Sequence, residues 1–107
     1  MAKLVYELIH ESSQNVPGNK AIISGEHSLN YQQLSNTTNE VASSFLNLGL
    51  RKQERVAIYL PKSIENVLSM FAATQAGGVF VPINPLLKAP QVRHILVDCN
   101  VRILVTN

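Results

Sequence analysis

The chain has 107 residues, one domain's worth by size, with 46% hydrophobic and 15% charged residues and a formal net charge of +2. That balance excludes a disordered chain, and a charge so small and scattered gives no electrostatic footprint for nucleic acid. No run approaches the roughly 18 apolar residues of a membrane span, the N-terminus lacks a signal pattern, and the single cysteine, Cys99, cannot form an internal disulfide. A cytoplasmic location is the expectation.

Lys3–Gln14 is predicted to be a helix with Leu4, Val5, Leu8 and Ile9 on one side, ended by Ser12, Ser13 and the loop Asn15-Val16-Pro17-Gly18-Asn19. Lys20–Ser24 reads as a short strand. Gly25-Glu26-His27 is a tight connection, and Ser28-Leu29-Asn30 returns to complete a small β-hairpin. Asn30 also suits a helix N-cap, with Gln33 in the capping-box position three residues later. Leu34, Thr38, Val41, Phe45 and Leu48 then recur at helical spacing, Ala42 widens the stripe, and Gly49 fits the left-handed position that stops the helix.

Arg51, Lys52 and Arg55 form the densest basic cluster, for which a solvated turn is a sufficient account. Arg55–Leu60 is a continuous apolar strand ended by Pro61. Ser63 can cap the next helix, which carries Glu65 in its first turn and Ile64, Val67, Leu68, Phe71 and Gln75 along one face. Gly77-Gly78 ends that helix. Val79–Ile83 is a second apolar strand, and Pro82 places it at an edge or marks where it finishes, because proline cannot donate to the ladder. Asn84-Pro85 forms a turn. Pro90 suits the first turn of a last helix with Val92, Ile95, Leu96 and Cys99 on its buried face, and Arg102–Thr106 is a third strand. Alternation of apolar strands with amphipathic helices predicts an α/β fold: a partial flavodoxin-like parallel sheet with helices on both faces, preceded by the N-terminal helix and the hairpin.

The residues that could carry chemistry mostly have structural explanations. Gly77-Gly78 follow a helix and precede a strand, the wrong order for a phosphate loop, whose glycines must present helix N-terminal amides to the anion. His10, His27 and His94 are scattered and have no metal-ligand spacing with Cys99. His94 lies off the cysteine's helix face, so no nucleophile–base pair forms there. Ser63 follows a strand and opens a helix, a geometry that could face an anion, but helix capping already explains it. No serine stands in a nucleophile elbow.

Read in order, the residues resemble adenylate-forming enzymes. Leu29-Asn30-Tyr31-Gln32-Gln33-Leu34 is similar to that family's opening Leu-Thr/Ser-Tyr-x-Glu-Leu segment, Asn39 and Ala42 to the Asn-x-x-Ala after it, and Gly49 to the glycine closing its helix. Val56-Ala57-Ile58-Tyr59-Leu60-Pro61-Lys62-Ser63-Ile64-Glu65 resembles the strand-to-helix segment Val-Ala-Ile-x-Leu-Pro-x-Ser-x-Glu. Ala76-Gly77-Gly78-Val79-Phe80-Val81-Pro82-Ile83-Asn84-Pro85 resembles Ala-Gly-Ala-x-Tyr-Val-Pro-Leu-Asp-Pro. The stretch through Leu86-Leu87-Lys88 and Asp98-Cys99-Asn100 is similar to the acyl-CoA ligases associated with exosortase A loci. Two departures stand out: the family's Gly-Asp before the strand is Gln53-Glu54 here, and its Lys before Ala-Gly is Gln75.

The resemblance implies that residues 1–107 are the N-terminal part of the large subdomain of an AMP-forming acyl-CoA ligase. Its parent would activate a carboxylic (fatty) acid with ATP to an acyl-adenylate and pass it to CoA, with Mg²⁺ neutralising the phosphates. The implied catalytic segments all lie downstream, so none of these residues takes a catalytic, cofactor-binding or metal-binding role. The fragment alone is expected to be inactive, with the remainder of the adenylation domain as its partner. The alternative is a non-catalytic scaffold or partner domain that self-associates through exposed sheet edges.

Overall fold

The protein is described from a computed structural model covering residues 5–24 and 27–107, with side chains from His10 onward, Ser24 excepted. The predictions for Leu4, for the apolar face of Val5, Leu8 and Ile9, and for the Gly25-Glu26 connection fall outside the described residues and side chains.

The core is built around Arg55–Tyr59 (β3). Its Val56, Ala57 and Ile58 are fully shielded from solvent, as expected for a central parallel strand covered on both faces. Val79–Pro82 (β4) pairs with it on one side and Val101–Thr106 (β5) on the other, both parallel, giving the order β4-β3-β5. Pro82 therefore sits on an edge strand, as its missing N–H requires. A register shift opposite Arg55/Val56 marks an irregularity in the β3–β5 pairing.

The layers over this sheet differ. On one face lie Tyr31–Asn47 (α2) and Ile64–Gln75 (α3). Ala42 and Phe45 of α2, Leu50, Val56, and Ala72, Ala73 and Ala76 in and just after α3 form a buried cluster there. Ile103, Val105 and Phe80 lean against it. The alanines let α3 approach the strands closely, so α3 is buried across a wider arc than its Ile64–Gln75 stripe suggested. The opposite face holds Ala89–Asp98 (α4), which meets Ala57 and Ile83 through Val92, with Ile95 and Leu96 only half-buried. Helices on both faces are thus observed.

Val5–Asn15 (α1) packs across α2 and α3. Lys20–Ser24 (β1) pairs antiparallel with His27–Asn30 (β2), and this hairpin covers Leu34 and Leu68 with Ala21, Ile22 and Leu29.

Local signals set the boundaries. The Asn30 side chain accepts from Gln33 N at 2.8 Å while the Gln33 side chain accepts from Asn30 N at 3.0 Å, a complete capping box. Ser63 Oγ accepts from Asn66 N at 3.2 Å. Gly49 and Gly77 take φ of +97° and +84° just past the caps of α2 and α3, the left-handed stops expected of them. Two placements are corrected. Leu48 caps α2 rather than extending its buried stripe and is exposed, because the chain turns outward at Gly49. Cys99 lies past the end of α4 as its C-cap and is half-buried, not on the helix's buried face.

Candidate functional site

In an open α/β sheet, ligands favour the carboxyl ends of the strands. At that end β3 runs through Leu60 and Pro61 into the cap of α3. Asn66 Nδ2 donates to Leu60 O at 3.1 Å and Ser63 Oγ donates to Pro61 O at 3.0 Å. Ser63 therefore spends its hydroxyl on the turn and on the Asn66 amide, and capping accounts for it. Beside it, Ile22, Ile23, Lys62, Ser63 and Val67 line a shallow hollow of about 210 Å³, half apolar hairpin and half helix start. The hydroxyl of Tyr59 donates to the Leu87 carbonyl and fixes the loop after β4 over the same end.

The glycines lie at the other end of the sheet. A methyl on Gly78 would come within 3.0 Å of Glu54 O and 3.1 Å of Leu50 Cδ2, so this residue serves close packing of the turn against β3. Gln53, before β3, donates its N–H to Gly77 O at 2.7 Å with φ of +67°, a left-handed value rare for a side chain of its size. It stands where the resembling family has glycine, so the sequence departure falls on a position whose backbone favours glycine. Arg51, Lys52 and Arg55 are exposed around this turn, as expected. Arg55 Nη1 donates to Cys99 O at 2.6 Å, a cation on the carbonyl that ends α4.

One constellation is not legible in the sequence. His10 Nδ1 lies 2.6 Å from Ser35 Oγ, and His10 Nε2 lies 3.3 Å from Gln75 Oε1. The Gln75 amide donates its Nε2–H to Asn39 Oδ1. With that amide so turned, a neutral imidazole donates from Nε2 and accepts the Ser35 hydroxyl proton at Nδ1. Polar groups from α1, α2 and α3 are thereby joined where Ser35 is nearly inaccessible. The Ser–His contact resembles a nucleophile and its base, but burial of the hydroxyl denies a substrate access and leaves it a clasp between helices. The sequence showed of His10 only that it lacks metal-ligand spacing. Its partners stand 25 and 65 residues away, beyond any local signal.

His27 and His94 are exposed and stand apart from it. Among the described residues, no three His, Cys, Asp or Glu side chains gather into a group that could hold a metal. A buried hydroxyl without a partner, Thr38 Oγ1, lies midway along α2 rather than at either loop end. The serine that opens α3 at the carboxyl ends is already committed to its turn, and α4 opens on Lys88 with no hydroxyl to offer. No helix among the described residues is long and apolar enough to cross a membrane.

Comparison with known proteins gives this arrangement a context. The chain is 32% identical over 104 residues to tyrocidine synthase 1 of Brevibacillus parabrevis, a match that covers 97% of this chain and 10% of the relative. It is 26% identical over 102 residues to bacitracin synthase 3 of Bacillus licheniformis, covering 95% of this chain and 2% of the relative. Among solved structures, VinN superposes with a TM-score of 0.92 at 27% identity, over 98% of this chain and 27% of that one. The N-terminal domain of FACL13 from Mycobacterium tuberculosis gives 0.89 at 30% identity, over 96% and 26%. The chain thus spans a tenth or less of these curated relatives and about a quarter of these solved chains. The profile described as AMP-binding enzyme matches residues 9–107, nearly the whole sequence, and the chain belongs to the AMP-binding enzyme family.

Proposed function

We propose that residues 1–107 form the N-terminal part of the large subdomain of an acyl-CoA ligase that activates a carboxylic acid as its adenylate and transfers it to CoA. The single observation that carries this reading is the ordered set of segments at Leu29–Leu34, Val56–Glu65 and Ala76–Pro85, which bracket the capped starts of α2 and α3 and the Gly77 stop. The likeness to the FACL13 N-terminal domain supports it. Here the chain supplies a structural layer. The ATP, Mg²⁺ and CoA of such a parent would be held by other residues, in the remainder of the adenylation domain, and the parent would act in the cytoplasm. The exosortase A-associated group is the finer assignment within this reading.

A second reading, activation of an amino acid for peptide synthesis, is favoured by the identity to tyrocidine synthase 1. One experiment separates the two. A polypeptide that continues past Asn107 in the same frame is purified, and pyrophosphate release from ATP is measured with a panel of fatty acids and amino acids. Release with fatty acids, followed by CoA thioester formation, is the expected result. Release with amino acids alone would replace the ligase reading by the second, and release with neither would remove both.

A further inference from the structure

We propose that Lys52, Arg55 and Arg102 act together as positive caps on the C-terminal ends of α3, α4 and α2, supplied from the turn before β3 and from the strands. The carbonyls in a helix's last turn lack intrahelical partners and leave about half a negative charge there, which a nearby cation stabilises. Many helices carry a basic residue in their own last turn for this reason. None of α2, α3 and α4 has one, and α4 ends instead on Asp98, whose carboxylate has the wrong sign for that position.

The topology brings the three helix ends together. α2 leads into β3, α3 into β4 and α4 into β5, so with parallel strands all three helices end beside the amino ends of the strands. One basic residue stands beside each. Arg55 opens β3 on the same side as Ala57, facing α4, and its Nη1 donates at 2.6 Å to the carbonyl of Cys99, the C-cap of α4. Lys52 lies along the end of α3: a methyl on Gly77, just past that helix's cap, would come 3.9 Å from Lys52 Cα and 4.0 Å from its Cγ. The Gln53 N–H on Gly77 O fastens the turn there. Arg102 reaches the end of α2, with Nη2 3.9 Å from where a methyl on Gly49 would stand.

Arg102 gets there through the irregularity in β5. Arg55 pairs with Val101 and Val56 with Ile103, so Arg102 is an extra residue with no counterpart in β3. Val101 packs on the α4 side with Ala57 and Val92, and Ile103 on the other side with Phe45 and Leu50. Two residues apart in a regular strand, they would share a face. The inserted residue breaks the alternation, so Ile103 enters the core beneath α2 and α3 while Arg102 keeps its guanidinium at the rim beside Gly49. Glu54, the acidic residue of this turn, is engaged within it, accepting from Arg51 N at 2.6 Å. The caps serve the layer whichever acid the parent activates, since they neither require nor produce adenylation.

The test is urea unfolding of the full 107-residue chain, followed by circular dichroism at about 20 mM and about 500 mM sodium chloride, since salt screens exposed charges. Lys52→Met, Arg55→Met and Arg102→Met keep an apolar stem and remove the charge. Each should lower the folding equilibrium constant about two- to fivefold at low salt, and the losses at Lys52 and Arg102 should shrink at high salt. Arg102→Lys, which keeps the charge, should recover most of the loss. Lys62→Met is the control. It removes the same charge from an exposed residue just before the Ser63 cap of α3, where the dipole has the opposite sign, and should leave stability unchanged or raise it. Methionine variants as stable as the unsubstituted chain at low salt would overturn the proposal. So would losses at Lys52 and Arg102 undiminished at high salt, no recovery in Arg102→Lys, or a loss from Lys62→Met equal to the others.

Discussion

The two faces of the sheet are finished to different degrees. Beneath α2 and α3, Phe45, Leu50, Val56 and the alanines Ala42, Ala72, Ala73 and Ala76 close a continuous core. Beneath α4 only Ala57, Ile83 and Val92 are buried, and Leu104 remains 40% exposed, Val97 75% and Leu86 85%. The same strand β3 serves both faces, so the difference comes from what covers it: two long helices with α1 and the hairpin behind them, against one helix of ten residues. Exposed apolar side chains also lie on the hairpin and at the end of α2, Ile23 at 66%, Leu46 at 53% and Leu48 at 66%, so the contrast rests on the buried clusters rather than on exposure alone. A layer complete on one face and open on the other is what a segment covering about a quarter of its solved relatives would show.

That asymmetry can be broken experimentally. Phe45→Ala removes a nearly inaccessible aromatic ring from the closed face and should cost about 3–5 kcal/mol, a large share of the roughly 5–15 kcal/mol that holds a domain of this size, read by urea unfolding. Gly78→Ala forces a methyl onto Glu54 O and Leu50 and should cost about 1–3 kcal/mol in the same titration. Thr38→Val goes the other way. It replaces a buried hydroxyl that has no partner by a methyl of similar shape, and should stabilise by about 1–2 kcal/mol, raising the thermal midpoint. On the open face, Leu96→Ala should cost only about 1 kcal/mol. If Leu96→Ala proved as damaging as Phe45→Ala, the two faces would be equivalent and the comparison would fail.

What the sequence disclosed follows the range of each interaction. The Asn30 box, the Ser63 cap, the Gly49 and Gly77 stops and the edge position of Pro82 are set by neighbours within a few residues, and all are found in the structure. Leu48 and Cys99 were misplaced by one rule: periodicity carries a stripe one position too far when a left-handed residue has already turned the chain, Gly49 after Leu48 and Asn100 after Cys99. The His10 clasp and the orphaned Thr38 hydroxyl depend on how helices far apart in sequence meet, which no local pattern encodes. For the candidate site, spacing alone explained Ser63 and the glycines as structural, and the contacts of both agree. Gln53 lies between these cases, since its departure from the family's glycine was visible but its left-handed backbone was not.

The central claim is that these residues carry a structural layer of an adenylate-forming enzyme and not its chemistry. It is tested most directly by pyrophosphate release from the purified, folded 107-residue chain given Mg²⁺, ATP, and carboxylic acids or amino acids. No release above the buffer control is the predicted result. Release above that control, lost on unfolding in urea, would place adenylation within these residues and contradict the account.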